Sequence, residues 1–326
     1  MRITTLFLQA ILLTCLTACG GSDDSGAPAA PEALTIGFSQ VGSESSWRTS
    51  FSDSVRAEAA ARGIDLKFSD AQQKQENQIK AIRSFIAQGV DGMVVAPVVE
   101  TGWKPVLEEA KRAGIPVVIV DRNMALDDYS LYLTRIASDF VEEGRKAARW
   151  LMDATGGVCD IVELQGTVGA TAAIDRMTGF NEVIADYSQA TIIRSQTGDF
   201  TRSKGKEVME SFLKAENGGN EICAVWAHND EMAIGAVLAI KEAGLDPGDD
   251  ILIVSVDAVP DIFKAMADGD TNATVELSPH MGGPAFDAII NYLNGGPAGP
   301  KLVSINGDLY TQETAAEEYA RRTGAN

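Results

Sequence analysis

Residues 114–123 read GIPVVIVDRN. A glycine that stops a helix is followed by a run of β-branched residues, the composition of a strand covered on both faces. The run ends abruptly at Asp121-Arg122. An ion pair or a helix cap at an exposed turn is the plain reading of such a pair. The alternative is a water-excluding cleft, in which each side chain is satisfied by a ligand's hydroxyls and by the other's charge.

The chain around this stretch repeats one unit. Apolar runs at Leu34–Ser39, Asp65–Ser69, Gly92–Ala96 and Val117–Val120 predict buried parallel strands. Amphipathic stretches Trp47–Ala61, Gln75–Gln88 and Gly102–Ala113 predict the intervening helices, stopped at Gly63, Gly89 and Gly114. A fifth strand is expected over Leu131–Ala137, and Asp139–Ala154 connects it to a second series. There, strands are expected at Asp160–Leu164, Thr191–Arg194, Ala224–Ala227 and Ile251–Val256, with helices at Ala172–Ala185, Ser203–Glu216 and Glu231–Ala243. A further strand Ala273–Leu277, helix Pro284–Leu293 and strand Leu302–Ile305 exceed this second series. The excess implies that the chain returns to its first half and crosses again. The expected fold is α/β: two doubly wound parallel-sheet lobes joined by a multi-strand hinge. The first lobe is expected over 34–138 plus about 278–300, the second over 139–277 plus about 301–326.

With 326 residues the chain is long enough for two such cores. A formal charge of −19 excludes a polyanion such as nucleic acid as partner and disfavours anionic lipid surfaces. At the N-terminus, Arg2 precedes an apolar run, Leu6 to Leu16, of signal-peptide length and too short to span a bilayer. Leu16-Thr17-Ala18-Cys19 resembles a bacterial lipobox, and a flexible polar stretch follows it. A signal peptide over 1–18, a lipidated Cys19 and a tether over 19–33 are therefore expected, with a plain secretory signal as the alternative. Export leaves Cys159 and Cys223 in an oxidising compartment. In the strand order 2-1-3-4-5 they open the first and third strands of the second sheet, neighbours about 4.8 Å apart. A structural bridge at the strand N-terminal ends is predicted; two buried free thiols are the alternative.

Ligands of open α/β sheets bind at the carboxyl ends of the strands. Those positions carry Gln40 to Arg48, Asp121-Arg122, Gln165-Gly-Thr with Arg176 beyond, Gly198-Asp-Phe-Thr201, His228-Asn229-Asp230 and Asp257. Planar polar groups thus gather on one edge of both sheets, with Trp47 and Phe200 supplying flat apolar faces. That combination suits a neutral polyhydroxylated ring. No G-x-x-x-x-G-K-[ST] phosphate loop occurs.

The order of these residues, with Gly37-Phe-Ser-Gln-Val-Gly-Ser-Glu-Ser, Val162-Glu-Leu-Gln-Gly-Thr-Val-Gly-Ala and the run from Gly198 to Phe212, resembles the type I periplasmic sugar-binding proteins of the ribose and galactose class. Within that class it is most similar to galactofuranose-binding components of bacterial ABC importers. The resemblance implies capture of a monosaccharide, galactofuranose first and arabinose, ribose or galactose as alternatives, by a periplasmic monomer. That monomer would hand the sugar to permease subunits in the inner membrane, without a cofactor or metal. It implies ligand contacts from Glu44, Ser45, Ser46, Trp47, Arg48, Asp121 and Arg122 in the first lobe. In the second it implies Arg176, Phe200, Asn229 and Asp257. Where those relatives carry a glutamine before a proline at the third crossing, this chain has Glu276-Leu277-Ser278-Pro279.

An exported glycoside-processing enzyme is the rival class, and it needs two carboxylates of different pKa. Asp121 and Asp257 each lie near an arginine or amide expected to hold them ionised. No G-x-S-x-G elbow is present, and His228 and His280 are too few for a zinc site. His228 reads as a packed, hydrogen-bonding residue. A sugar-responsive repressor would need a basic helix-turn-helix where this chain has a signal and an acidic linker.

Overall fold

The computed structural model describes residues 33–324. The expected signal segment, Cys19 and all but the last residue of the tether lie outside them. The first five strands are β1 (Thr35–Gln40), β2 (Asp65–Asp70), β3 (Gly92–Val95), β4 (Val117–Val120) and β5 (Arg135–Ala137). The second series runs β6 (Val158–Gln165), β7 (Gln189–Thr197), β8 (Ala224–Ala227), β9 (Leu252–Asp257) and β10 (Ala273–Glu276). Two short strands close the chain, β11 (Leu302–Ser304) and β12 (Leu309–Thr311). They form two six-stranded sheets of matching order, β2-β1-β3-β4-β5-β11 and β7-β6-β8-β9-β10-β12. The first is parallel throughout; in the second, β12 runs antiparallel to β10.

Helices α1 (Ser46–Ala61), α2 (Gln75–Gln88) and α3 (Lys104–Arg112) follow the first three strands. Then come α4 (Phe140–Thr155), α5 (Thr171–Ile184), α6 (Arg202–Ala215), α7 (Asp230–Glu242), α8 (Pro260–Ala267), α9 (Gly282–Leu293) and α10 (Gln312–Thr323). Every residue of β3 and β4 is buried, as a parallel sheet covered on both faces requires. The chain crosses between lobes three times, at 138–139, 277–281 and 305–308.

Two expectations need correction. Leu302–Ser304 pairs with β5 in the first sheet, so the last crossing lies beyond it rather than near 300. The fifth strand is also shorter than the run Leu131–Ala137. Lys301 draws the carbonyls of Tyr129, Tyr132 and Leu133 onto its ammonium, and Tyr129–Leu131 forms a 3-10 turn instead. The cysteines meet as the strand order requires: Cys159 and Cys223 are bonded, with Cα atoms 5.3 Å apart.

Candidate functional site

The carboxyl ends of both sheets face each other across one cavity, lined from both lobes. Ten of the eleven expected contact residues line it: Glu44, Ser45, Trp47, Arg48, Asp121, Arg122, Arg176, Phe200, Asn229 and Asp257. Ser46 does not. It is exposed, and its backbone N–H donates to Glu231 of the opposite lobe at 3.2 Å. It is the first residue of the helix capped by Ser45 and forms no part of the cavity lining. Ala172 and Leu277 also line the cavity, and no polar signal marked them.

In the first lobe the start of α1 sets the geometry. The Ser45 hydroxyl accepts from the Arg48 N–H at 3.1 Å, so the helix begins there and points Arg48 inward. The Arg48 guanidinium donates to Asp121 Oδ2 at 2.8 Å, to Gln40 Oε1 at 3.3 Å and to Glu44 Oε1 at 3.3 Å. Burial works against its charge, yet Asp121 and Glu44 outweigh it and raise its pKa. Arg122 donates to the Val98 carbonyl at 2.8 Å. Its Nε sits 4.0 Å from Asp121, beyond hydrogen-bond reach, and is buried with no protein partner among the described residues. Burial, then repulsion from Arg48, pushes the Arg122 pKa down to about 10.

In the second lobe Arg176, 2 % exposed, donates to Glu143 Oε2 at 2.8 Å and to the His228 carbonyl at 2.7 Å. Its Nη2 lies 4.0 Å from Asp257 Oδ1 and likewise has no hydrogen-bond partner. Asn229 caps α7 by accepting from the Met232 N–H at 3.1 Å and donates to the Phe200 carbonyl at 3.2 Å. Phe200 fits because residue 166 is glycine: a Cβ there would lie 1.9 Å from the ring. The expectation that neighbours hold Asp257 ionised is overturned. Burial pushes its carboxyl well above the usual range, because Arg176 stands off at 4.0 Å and is shared with Glu143. His228 lies behind the cavity, where its Nδ1 accepts from the Gly166 N–H and Nε2 meets Glu163 at 3.0 Å. Burial lowers its pKa and keeps it neutral.

Both strand ends are conformationally strained. Asp121 has φ +61° and Asp257 φ +127°, a region side chains rarely occupy, and Phe200 sits at +61°. The lobes touch around the cavity. The Glu100 N–H donates to the Gly169 carbonyl at 3.0 Å and the Asn123 N–H to Thr171 Oγ1 at 3.1 Å. The Arg122 guanidinium lies 5.1 Å from the centre of the Phe200 ring. The Trp47 indole N–H donates to the Leu277 carbonyl at the second crossing at 2.6 Å. Among the described residues, no group of three or more His, Cys, Asp or Glu could hold a metal.

Residues 36–297 match the family model of the periplasmic binding protein domain. The chain is 57 % identical to the galactofuranose-binding protein YtfQ of Escherichia coli K12, over 95 % of this chain and 97 % of that one. It superposes with a TM-score of 0.88 on the binding component of an arabinose ABC transporter from Shewanella sp. ANA-3, bound to α- and β-L-arabinofuranose. That chain is 75 % identical, and the match covers 89 % of this chain and 96 % of the other. A Mycobacterium smegmatis protein in complex with β-D-fucofuranose follows at 47 % identity and TM-score 0.86, over 90 % and 96 %. These relatives bind sugars and are not enzymes. Two matched α/β lobes, three crossings and a cleft between the strand ends are what this similarity describes, and the chain belongs to the periplasmic binding protein family.

Proposed function

We propose that this protein is the substrate-binding component of an ABC sugar importer, which captures one monosaccharide in its furanose form and delivers it to a permease. The observation that carries the proposal is a pair of buried guanidinium atoms, Arg122 Nε and Arg176 Nη2, without a hydrogen-bond partner among the described residues and belonging to two arginines that line one cavity from opposite lobes. Each is a donor suited to a ring hydroxyl, and an unmatched buried donor is costly unless a ligand takes it. Arg48 and Arg122 face the acids Glu44 and Asp121, and Arg176 is paired from behind with Glu143, which suits an uncharged ring.

The relatives sharpen the ligand class. L-arabinofuranose, D-fucofuranose and D-galactofuranose share the configuration of the ring carbons C2 to C4 and differ in the group carried by C4. A cavity that reads the ring accepts this series, and the space beyond C4 ranks its members, galactofuranose and L-arabinofuranose first. Leu277 and Ala172 give the cavity apolar wall.

Family membership implies export to the periplasm. We extend this to a tether through acylated Cys19, to action as a monomer, and to closure of two lobes about the three crossings, the closed form being the one the permease receives. Residues Glu44, Ser45, Trp47, Arg48, Asp121 and Arg122 would receive the sugar first, and Arg176, Phe200, Asn229 and Asp257 would close on it. A thermal-shift panel of galactofuranose, arabinose, ribose, galactose and glucose tests the reading, followed by NMR of the best ligand labelled with 13C at C1. The expected result is stabilisation by the first two, a furanose C1 resonance in the complex and a change in Trp47 emission. Binding of a pyranose alone, or of none of the five, would refute it. Metabolic labelling with a fatty acid, lost in Cys19→Ser, checks the tether.

A further inference from the structure

Arg176 presents one edge to the cavity, and its other edges are gripped from behind. The grip depends on how closely α4 and α5 approach. A Cβ on Gly144 would lie 2.1 Å from the Arg176 carbonyl oxygen, and one on Gly179 would lie 1.9 Å from the Val141 carbonyl oxygen. Neither residue could be larger without separating the helices. Backbone therefore meets backbone at the turn that carries Arg176. That contact brings Glu143, 3 % exposed, to 2.8 Å from Arg176 Nε. One turn before it, the Phe140 ring lies 5.2 Å from the Arg176 guanidinium and 5.5 Å from that of Arg135. Arg135, which lies in the first lobe, in turn donates two bonds, at 3.2 and 3.0 Å, to the carbonyl of Asp121 in that same lobe. All of this hangs on the first turn of α4, immediately after the first crossing.

We infer that Glu143 is a positioning residue for the sugar site: it touches no ligand, and it fixes the rotamer of Arg176 and balances its charge from the first turn after the hinge. The inference rests on the sugar-binding reading above. Burial raises the Glu143 carboxyl above its usual range, and the guanidinium of Arg176 works against that rise without cancelling it. The two side chains form a buried pair at 2.8 Å, and among the described residues no other cation lies within bonding distance of this acid.

The test is isothermal titration with L-arabinose and galactofuranose on wild type, Glu143→Gln, Arg176→Met and the double variant. Stopped-flow dissociation rates and the ligand-free melting temperature accompany it. Glu143→Gln keeps shape and an acceptor oxygen while removing the charge. It should weaken binding roughly ten- to hundredfold, mostly through faster dissociation, the range of one charge-assisted bond. In the Arg176→Met background the same change should cost less than about twofold, because the group it acts through is gone. A lowered melting temperature with unchanged affinity would assign Glu143 to stability alone and overturn the inference. Additive losses in the double variant would overturn it too. Wild type that binds no furanose would bring down the functional reading itself, and with it this inference; wild type that binds, beside an unaffected Glu143→Gln, sinks the inference alone.

Discussion

The two halves of this molecule end their fourth strands in the same way and support those ends by opposite means. In the first lobe Asp121, at φ +61°, is steadied by a cation: Arg135 clasps its carbonyl and Arg48 its carboxylate. In the second, Asp257, at φ +127°, leads into Ala258 at +59°, and the turn is steadied by a buried acid. Asp230 accepts from Ser255 Oγ at 2.6 Å, Thr274 Oγ1 at 2.8 Å and the Val259 N–H at 2.9 Å. The first wall is thus a cluster of charges linked within its own lobe through Arg48, with Arg122 Nε and Glu44 Oε2 left without hydrogen-bond partners among the described residues. The second carries one arginine held from behind and an acid whose charge burial resists. A wall assembled in advance is suited to receive the ligand, and a wall short of partners gains most by closing on it.

The sharpest way to break this contrast is to spoil the preassembled wall. Arg122→Ala leaves Glu44 and Asp121 sharing the single cation Arg48 and removes the guanidinium that lies over Phe200 across the cleft. Affinity for the furanose should fall by about 3–5 kcal/mol, the usual consequence of stripping one partner from a buried charge cluster. Titration calorimetry reads it directly. A variant that binds as tightly as wild type would mean that the first wall is not where the sugar is held.

Much of this was legible in the sequence, for reasons that differ between fold and site. β-branched runs closed by glycines report buried parallel strands, because only such strands are apolar on both faces. Cys159 and Cys223 then followed from strand order alone. Ten of the cavity's polar and aromatic side chains were legible because each stands just past a strand end. What stayed hidden comes from packing. Glu143 lies mid-chain on a segment that reads as a connection, and only the glycine contact between α4 and α5 brings it to Arg176. Ser46 lies outside the cavity lining because five consecutive residues at a helix start cannot all face one way. The state of Asp257 was misread because an arginine nearby in outline stands 4.0 Å away and already has another acid.

A second comparison separates stability from binding. Only the second lobe carries a disulfide, and it ties the beginnings of β6 and β8, the ends remote from the cavity. The bond closes a sequence separation of 64 residues. The double variant Cys159→Ser, Cys223→Ser should lower unfolding stability by about 2–4 kcal/mol, in line with a loop of that length. Its affinity should stay within about twofold of wild type, since cleft geometry is set at the opposite strand ends. Denaturant titrations beside calorimetry measure both quantities. A parallel loss of affinity would show that the lobe transmits strain from one strand end to the other.

The most gradual effect, spread over several pH units, concerns the acid brace. Burial raises the Asp230 pKa from 3.8 to about 7, against the pull of its three hydrogen bonds. A carboxyl raised on folding binds its proton more tightly in the folded state than in the unfolded one. Its contribution to stability is therefore full below about pH 4 and is lost as pH rises toward about 7. The slope from one such group is at most about 1.4 kcal/mol per pH unit. Asp230→Asn removes the titration while nearly preserving shape. The difference in unfolding free energy between wild type and variant should therefore narrow steadily from pH 4 to pH 7, even though other groups titrate in both proteins. The first lobe has no counterpart, because its strained aspartate is braced by a guanidinium that stays charged throughout. A difference that is flat across this range would mean that Asp230 is ionised in the folded protein and that the two strand ends are braced by charge alike.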